Sequence, residues 1–178
     1  LNIETKDKRI FHFENKIFAP SISPDFKSFA AVEVTANNDY SISVFDLENG
    51  IKKDSFSTND NQYFFTPCWD SLGANLFAIS LSSQGKALVK ISLSDKKLET
   101  LLPATYHDIR NPEYSNGGIY FTGSYTGIDN IFCYKIKEKT LYQVSSVRFG
   151  ADYPTTNGNR LFYSNFNSSG FALESIQL

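Results

Sequence analysis

The sequence predicts an all-β protein built from β-propeller blades of four antiparallel strands. Two observations support this fold class. The chain contains about four repeats of ~45 residues, a length typical of propeller blades. Its composition also favours sheets, with 16 Phe and 10 Tyr among 178 residues. A β-sandwich is the alternative, but it gives no reason for a fourfold repeat, whereas blades stacked around an axis cover each other's apolar faces.

Four prolines mark the same position in each repeat, within the first strand of the blade. Pro20, Pro67, Pro112 and Pro154 follow one another at intervals of 47, 45 and 42 residues. An apolar residue lies three positions before each proline, and a short polar residue lies three positions after it. The apolar residues are Ile17, Phe64, Ile109 and Ala151, and the polar residues are Ser23, Asp70, Ser115 and Asn157. Because such polar side chains bond their own backbone at the start of a turn, each first strand is expected to end in one.

Three further strands follow each turn. The second strands are predicted at 29–32, 76–79, 119–122 and 161–164, and the third strands at 42–47, 88–93, 131–136 and 173–178. More polar fourth strands are predicted at 51–56, 98–102 and 140–144. The charges of Lys52, Lys53, Asp54 and Glu99 suit the outer edge of a blade, because they discourage pairing with another edge.

The whole chain, 1–178, is predicted to be a single propeller segment. Blades are expected at 14–57, 58–103 and 104–146, with an incomplete blade at 147–178. Residues 1–13 resemble the outer part of a blade: 1–3 match the end of a third strand, and 8–13 match a fourth strand of a preceding or closing blade. That strand could complete the last blade and close a small ring. We expect instead a piece of a propeller of about 6–8 blades, and the absence of a starting Met indicates a segment of a longer protein.

Charge and composition argue against several classes of partner. The net charge of −2 provides no basic field for nucleic acid or an anionic membrane. No run approaches the ~20 apolar residues of a membrane helix, so we expect no membrane insertion by this segment. Cys68 and Cys133 are expected to be free and buried, although two cysteines do not decide the cellular compartment. The single tryptophan, Trp69, is expected in the core.

The repeat resembles the TolB-type, WD-repeat-like β-propeller family of bacteria. The motif is a Ser-Pro-Asp turn, a second strand, and a third strand that ends in Asp-Leu before a Gly turn. It is matched by residues 21–27 and 42–50, and a variant of it by residues 121–132. The resemblance covers nearly the whole chain and is best in the first repeat, whereas the second repeat lacks the turn proline. It implies a protein-binding scaffold of the cell envelope, the substrate-gating propeller of a prolyl-oligopeptidase-like enzyme, or a propeller beside membrane-anchored domains in a larger surface protein.

The residues of this segment provide no convincing catalytic or metal site. A serine hydrolase needs a Gly-x-Ser-x-Gly elbow, and 123–127 places Ser124 at the wrong position. His12 and His107 are the only histidines, which is too few for the three or four convergent ligands of a typical metal site. The residues around Asp129 do not match the ligand pattern of an EF-hand calcium loop. The glycosylation sequence at 167–169 is attributed to chance. We therefore expect no catalysis, metal or cofactor within this segment.

A candidate partner-binding rim lies on the connections that enter the first strands and on those between second and third strands. Tyr and Arg are over-represented where protein partners bind. The candidate residues are Tyr106, His107, Asp108, Arg110, Tyr125, Asp129, Asp152 and Tyr153. Phe64 and Phe149 are placed at the same rim. The alternative is that these residues only cover the blade ends, with a local pair between Asp108 and Arg110.

The leading hypothesis is a non-catalytic propeller scaffold that binds protein or peptide partners in the bacterial cell envelope. The chain would then be exported, to the periplasm or to an outer-membrane or cell-surface location, and self-association through open blade edges is a further expectation. The alternative is an accessory substrate-gating propeller of a prolyl-oligopeptidase-like peptidase whose catalytic domain lies outside this segment. A weaker third hypothesis, a sugar-binding module, requires exposed Tyr or Trp platforms.

Overall fold

Fifteen strands form four antiparallel sheets in the computed structural model, which describes residues 8–178. The first sheet contains β1 (Lys16–Ile22), β2 (Ser28–Val34), β3 (Tyr40–Asp46) and β4 (Lys52–Phe56). The second contains β5 (Tyr63–Trp69), β6 (Asn75–Ser82), β7 (Gly85–Ser92) and β8 (Leu98–Thr105). The third contains β9 (Ile109–Ser115), β10 (Gly118–Gly123), β11 (Asn130–Lys135) and β12 (Thr140–Gln143). The fourth contains β13 (Gly150–Thr156), β14 (Arg160–Asn167) and β15 (Gly170–Gln177).

The predicted all-β fold with four-stranded antiparallel blades is confirmed. Strands are hydrogen-bonded in chain order within each sheet, and the predicted second strands lie within β2, β6, β10 and β14. Consecutive sheets pack through their first strands, β1 on β5, β5 on β9, and β9 on β13. The part of the chain that the structure describes contains no helix long and apolar enough to cross a membrane.

The core consists of apolar layers between neighbouring sheets. Successive side chains of a strand point to opposite faces, so one strand contributes to two layers. Leu76 and Ala78 of β6 pack towards the first sheet, whereas Phe77 and Ile79 pack towards the third. Each large side chain buried in this way stabilises the fold by about 1.5–3 kcal/mol. Every inner sheet is thus covered on both faces, as the apolar second and third strands predicted.

The residues expected inside the protein are buried. Trp69 lies in the layer between the first two sheets, and its Nε1 donates a hydrogen bond to the Ser21 carbonyl oxygen at 2.9 Å. Cys68 and Cys133 are both buried and free. Burial raises the pKa of each thiol, so both stay protonated at neutral pH.

The four aligned prolines mark four β-bulges. In every first strand the residue before the proline has a positive φ: 51° at Ala19, 35° at Thr66, 53° at Asn111 and 54° at Tyr153. The pairing register with the second strand shifts at the same point in all four sheets. Proline has no N–H to donate to a ladder and is tolerated at bulges. The prolines that recur along the sequence therefore mark the points at which the first strands bend.

The turns after the first strands follow the predicted chemistry with one difference. The side chains of Ser23, Asp70 and Asn157 each accept a hydrogen bond from a backbone N–H three to five residues further on, at 2.8–2.9 Å. Ser115 instead remains within the β9 ladder. The two-residue turn Asn116–Gly117 follows, with φ of 47° and 74°. Two positive φ values are typical of the type I′ hairpin turn, which Asn-Gly favours.

The N-terminal segment differs from its prediction. Residues 8–13, predicted as an outer strand, form no strand and do not complete the fourth sheet. Phe13 instead covers the outer face of the first sheet, with its ring centroid 5.0 Å from that of Phe45 and 6.4 Å from that of Phe29. Burial of this aromatic face gives the segment a favourable place without strand pairing. Residues 1–3, predicted as the end of a third strand, lie outside the described residues.

Candidate functional site

Four of the predicted rim residues meet at the Arg110 guanidinium. Its Nη1 donates to Asp108 Oδ2 at 2.6 Å, and its Nη2 donates to Asp129 Oδ2 at 2.7 Å. Nε and Nη2 both donate to Asp152 Oδ2, at 3.0 and 2.9 Å. We call these four residues the Arg110 cluster. The local Asp108–Arg110 pair that the sequence suggested is one edge of this larger arrangement.

The repeat explains why Arg110 and Asp152 lie side by side. Each occupies the position two residues before the aligned proline of its first strand, β9 and β13 respectively. Because neighbouring first strands pack together in the same direction, equivalent positions come into contact. The same position holds Phe18 in β1 and Phe65 in β5. Along the four sheets, this row of side chains therefore changes from aromatic to charged.

The ionic contacts extend to the second sheet. Lys86, on β7, forms an ion pair with Asp108 Oδ1, and its Nζ lies 5.0 Å from the centroid of the Phe65 ring. Lys86, Asp108, Arg110 and Asp152 thus connect the second, third and fourth sheets. The network holds the sheets in register at one rim, because its Lys86–Asp108 and Arg110–Asp152 contacts join neighbouring sheets.

The Asp152 carboxylate accepts hydrogen bonds from four residues. Besides Arg110, its Oδ1 accepts hydrogen bonds from Asn111 Nδ2 at 2.9 Å, from Thr122 Oγ1 at 2.7 Å and from the Tyr153 N–H at 2.8 Å. A carboxylate with this many donors is fixed in one orientation. The cluster is accordingly a rigid platform on the molecule.

The charges in the cluster shift one another's pKa values. Burial alone would raise the pKa of Asp108, but the hydrogen bond from Lys86 and the charges of Lys86 and Arg110 outweigh it and lower that pKa. Burial opposes ionisation of Asp152 too, yet hydrogen bonds from Thr122 and Arg110 lower its pKa. Arg110 also loses water by burial, but Asp129 and Asp152 raise its pKa further above its usual range. All these groups are therefore charged at neutral pH.

The predicted aromatic residues separate into exposed and packed ones. Tyr106 and Tyr153 keep 87% and 69% of their surface exposed. Tyr125 instead packs on Phe132, with ring centroids 4.9 Å apart, and burial raises the pKa of its phenol. His107 lies against Tyr125 at 5.1 Å between ring centroids. Two tyrosines are thus available to a partner, and Tyr125 anchors His107 to the third sheet.

Two further aromatic placements have different outcomes. Phe64, predicted at the rim, is fully buried between the first two sheets, because its position three residues before the proline faces the core. Phe149 is exposed, as a rim position requires. It lies beside a cavity of about 290 Å³ next to the cluster, lined by Arg110, Asp129, Asp152, Phe149, Phe166 and Phe171.

Sequence reasoning missed a second aromatic group, at the same end of the first two sheets. The Tyr63 ring centroid lies 4.7 Å from that of Tyr40, 4.5 Å from that of Phe65 and 6.1 Å from that of Phe18. The repeat contained a partial signal, since Phe18 and Phe65 occupy equivalent positions. The contacts of Tyr40 and Tyr63 depend on how two sheets meet, which no local pattern specifies.

The described residues, 8–178, hold no group of three or more His, Cys, Asp or Glu side chains arranged for a metal ion. Ser124, the serine of the imperfect elbow-like sequence, accepts a hydrogen bond from the Asp108 N–H at 2.8 Å. It therefore fixes the loop that enters β9.

The chain is similar in structure to several larger solved proteins. TolB from Acinetobacter baumannii superposes with a TM-score of 0.76 and 16% identity, over 92% of this chain and 41% of that one. A putative TolB from Agrobacterium tumefaciens gives 0.77 and 15%, over 90% and 61%. A puromycin-hydrolyzing peptidase from Mycobacterium tuberculosis gives 0.73 and 13%, over 96% and 29%. The chain thus spans less than two thirds of the length of each.

At the level of sequence, neither a family model nor a curated protein matches the chain. The structural similarities, at 13–16% identity, establish the fold. The fold that the repeat predicted, part of a β-propeller, is thereby confirmed.

Proposed function

We propose that this chain is a non-catalytic propeller scaffold that binds a protein or peptide partner at the rim formed by the Arg110 cluster. The observation that carries the proposal is the pair of exposed tyrosines, Tyr106 and Tyr153, beside that rigid cluster. Tyr106 precedes Asp108 in the loop that enters β9, and Tyr153 directly follows Asp152.

The chemistry of this rim suits protein recognition. Tyrosine offers a large contact area with only two side-chain torsions to fix, so its immobilisation on binding costs little entropy. The cluster is already held by hydrogen bonds within the protein, so ordering it on binding adds little further cost. An extended peptide has both the apolar surface to cover the tyrosine rings and the backbone groups to bond their hydroxyls.

The proposal can be tested with a random peptide library displayed on phage. Peptides selected on the wild-type protein are measured by fluorescence polarisation against Tyr106→Ala and Tyr153→Ala variants. We expect each variant to weaken binding about tenfold or more, as for tyrosines at the centre of an interface. Leu72→Ala is the matched control, because Leu72 is equally exposed but lies in the turn after β5, at the opposite end of the strands.

Two results would count against a rim site. One is selected peptides whose affinity is unchanged by both tyrosine substitutions. The other is a loss of affinity in the Leu72→Ala control, which would place binding at the opposite end of the blades. Thermal melting of each variant by circular dichroism separates lost binding from lost folding.

The cell envelope is the location we propose, with export to the periplasm or cell surface, as the TolB-type fold suggests. Fractionation of the source cells that express the full-length protein with a C-terminal tag provides the test. Recovery in the cytosolic fraction alone would contradict it.

The second candidate is an accessory, substrate-gating propeller of a prolyl-oligopeptidase-like enzyme. The observation in its favour is the structural similarity to a peptidase of which this chain matches 29%. The full-length protein would then label with a fluorophosphonate probe and cleave a fluorogenic prolyl peptide. Absence of both reactions in a folded full-length protein would leave the scaffold as the better explanation.

A further inference from the structure

We propose that the pocket between the first and second sheets, beside Tyr40 and Tyr63, binds an uncharged pyranose ring of a saccharide. The pocket has a volume of about 430 Å³, within the range of small-molecule sites. It is separate from the Arg110 cluster, since none of its lining residues belongs to the third or fourth sheet. Its lining residues are Glu14, Asn15, Lys16, Phe18, Val34, Thr35, Ala36, Asn38, Tyr40 and Tyr63.

Aromatic rings form one side of the pocket. The Tyr40 and Tyr63 rings meet edge to face at 72°, whereas Phe18 and Tyr63 stack at 24°. All three rings line the pocket. The negative face of an aromatic ring attracts the weakly positive C–H groups that cover one side of a pyranose. This wall therefore suits a sugar ring better than a purely polar ligand.

Polar side chains line the same pocket. The Tyr40 and Tyr63 hydroxyls, the Glu14 carboxylate and the Asn38 amide have no hydrogen-bond partner among residues 8–178. The Lys16 ammonium lies 5.7 Å from the centroid of the Phe18 ring. Burial and the neighbouring Tyr40 raise the pKa of Tyr63, so its hydroxyl remains a donor at neutral pH. The hydroxyls of a sugar both donate and accept hydrogen bonds, so they can pair with the donors and the acceptors of this pocket.

The charges of the pocket are balanced. Glu14 and Lys16 carry opposite charges at neutral pH, so an ionic ligand would face one charge of its own sign. An uncharged ligand with several hydroxyls can satisfy the two groups at once. This balance favours a neutral saccharide over an acidic or basic ligand.

The site is preorganised by Asn61, which connects the two sheets. Its Oδ1 accepts a hydrogen bond from the Tyr40 N–H at 2.8 Å, and its Nδ2 donates to the Asn38 carbonyl oxygen at 2.9 Å. The β2–β3 turn is thereby fixed to the start of the second sheet. A fixed wall lowers the entropic cost of binding a ligand.

Saturation-transfer NMR with neutral pyranosides tests the proposal. Glucose, galactose and N-acetylglucosamine are the probes, with glucuronate as the charged comparison. We expect transfer from the neutral sugars at millimolar concentration, about tenfold weaker binding in Tyr63→Ala, and a smaller loss in Lys16→Ala. Because Tyr63 packs against other rings, the exposed Lys16 provides a variant that does not depend on the core.

Tyr142→Ala is the matched control, an exposed tyrosine of β12 that lies outside the pocket. It should retain the transfer of the wild-type protein. No transfer from any neutral sugar would overturn the proposal, as would transfer that all variants share equally. Stronger binding of glucuronate, or displacement of bound sugar by a peptide selected at the Tyr106 rim, would also overturn it.

Discussion

Arg110 and Asp152 form an ion pair across two neighbouring sheets, through two hydrogen bonds of 3.0 and 2.9 Å to one carboxylate oxygen. They lie at equivalent positions of successive first strands, so the repeat itself brings them into contact. Asp108 and Asp129 accept two further hydrogen bonds from the same guanidinium. One arginine thus bridges three carboxylates that would otherwise repel one another, and Lys86 adds a second positive charge beside Asp108.

Replacing Arg110 by alanine should destabilise the protein by about 2 kcal/mol, since it leaves three carboxylates close together and partly buried. The partial exposure of the cluster keeps the loss below that of a fully buried pair. Urea unfolding followed by tryptophan fluorescence measures it. Arg148→Ala is the control, because Arg148 is exposed, lies over the Phe149 ring and forms no ion pair in the described part of the chain. Equal stability of the two variants would contradict a structural role for the cluster.

Acid should weaken the cluster through Asp152. Its folded-state pKa lies below the ordinary value of 3.8, so the unfolded state takes up the proton first as the pH falls. The stabilisation is complete above the unfolded pKa and is lost as the pH falls through the folded pKa. Between neutral pH and about pH 3, the unfolding free energy of the wild type should therefore fall more steeply than that of Asp152→Asn. An equal decrease of the unfolding free energy in both proteins would show that Asp152 does not contribute to the pH dependence of stability.

Much of the fold could be predicted because its signals are local and repeated. A proline at a bulge, a polar residue at a turn and Asn116–Gly117 each act within a few residues. Their recurrence sets the blade length without any knowledge of the distant contacts. Residues 8–13 form no strand in the described structure, and their pattern does not distinguish the two outcomes, because apolar and polar residues alternate in a segment that covers a sheet face as well as in an outer strand.

The candidate site could be predicted only in part. The sequence singled out Asp108, Arg110, Asp129 and Asp152 as rim residues, but it did not predict that Asp129 and Asp152 also bind the Arg110 guanidinium. Exposure was less predictable still, since Tyr106 points outwards and Tyr125 packs on Phe132. The direction of a loop side chain depends on the packing of its neighbours, which the sequence pattern does not contain.

Thr66 lies at the most strained of the four bulges. A β-branched residue is disfavoured at its φ of 35°, and its buried Oγ1 has no hydrogen-bond partner among the described residues. Thr66→Gly removes both the strained Cβ and the unpaired hydroxyl, and it should stabilise the protein by about 1 kcal/mol. Thr66→Ala removes the hydroxyl but keeps a Cβ, so its stability should lie between those of Thr66→Gly and the wild type. Denaturant midpoints in the opposite order would show that the bulge imposes no such strain.

Two glycines with positive φ should differ sharply in their response to alanine. A Cβ on Gly85, at φ +107°, would lie 2.2 Å from the Thr105 backbone oxygen. A Cβ on Gly117, at φ +74°, would meet nothing within 4 Å. Gly117→Ala should therefore cost only the conformational penalty of about 1 kcal/mol. Gly85→Ala must also displace β8 from β7 and should cost about 3 kcal/mol or more. Denaturant unfolding of both variants measures the difference. Equal losses of unfolding free energy would mean that β8 moves away from β7 at little cost at this point.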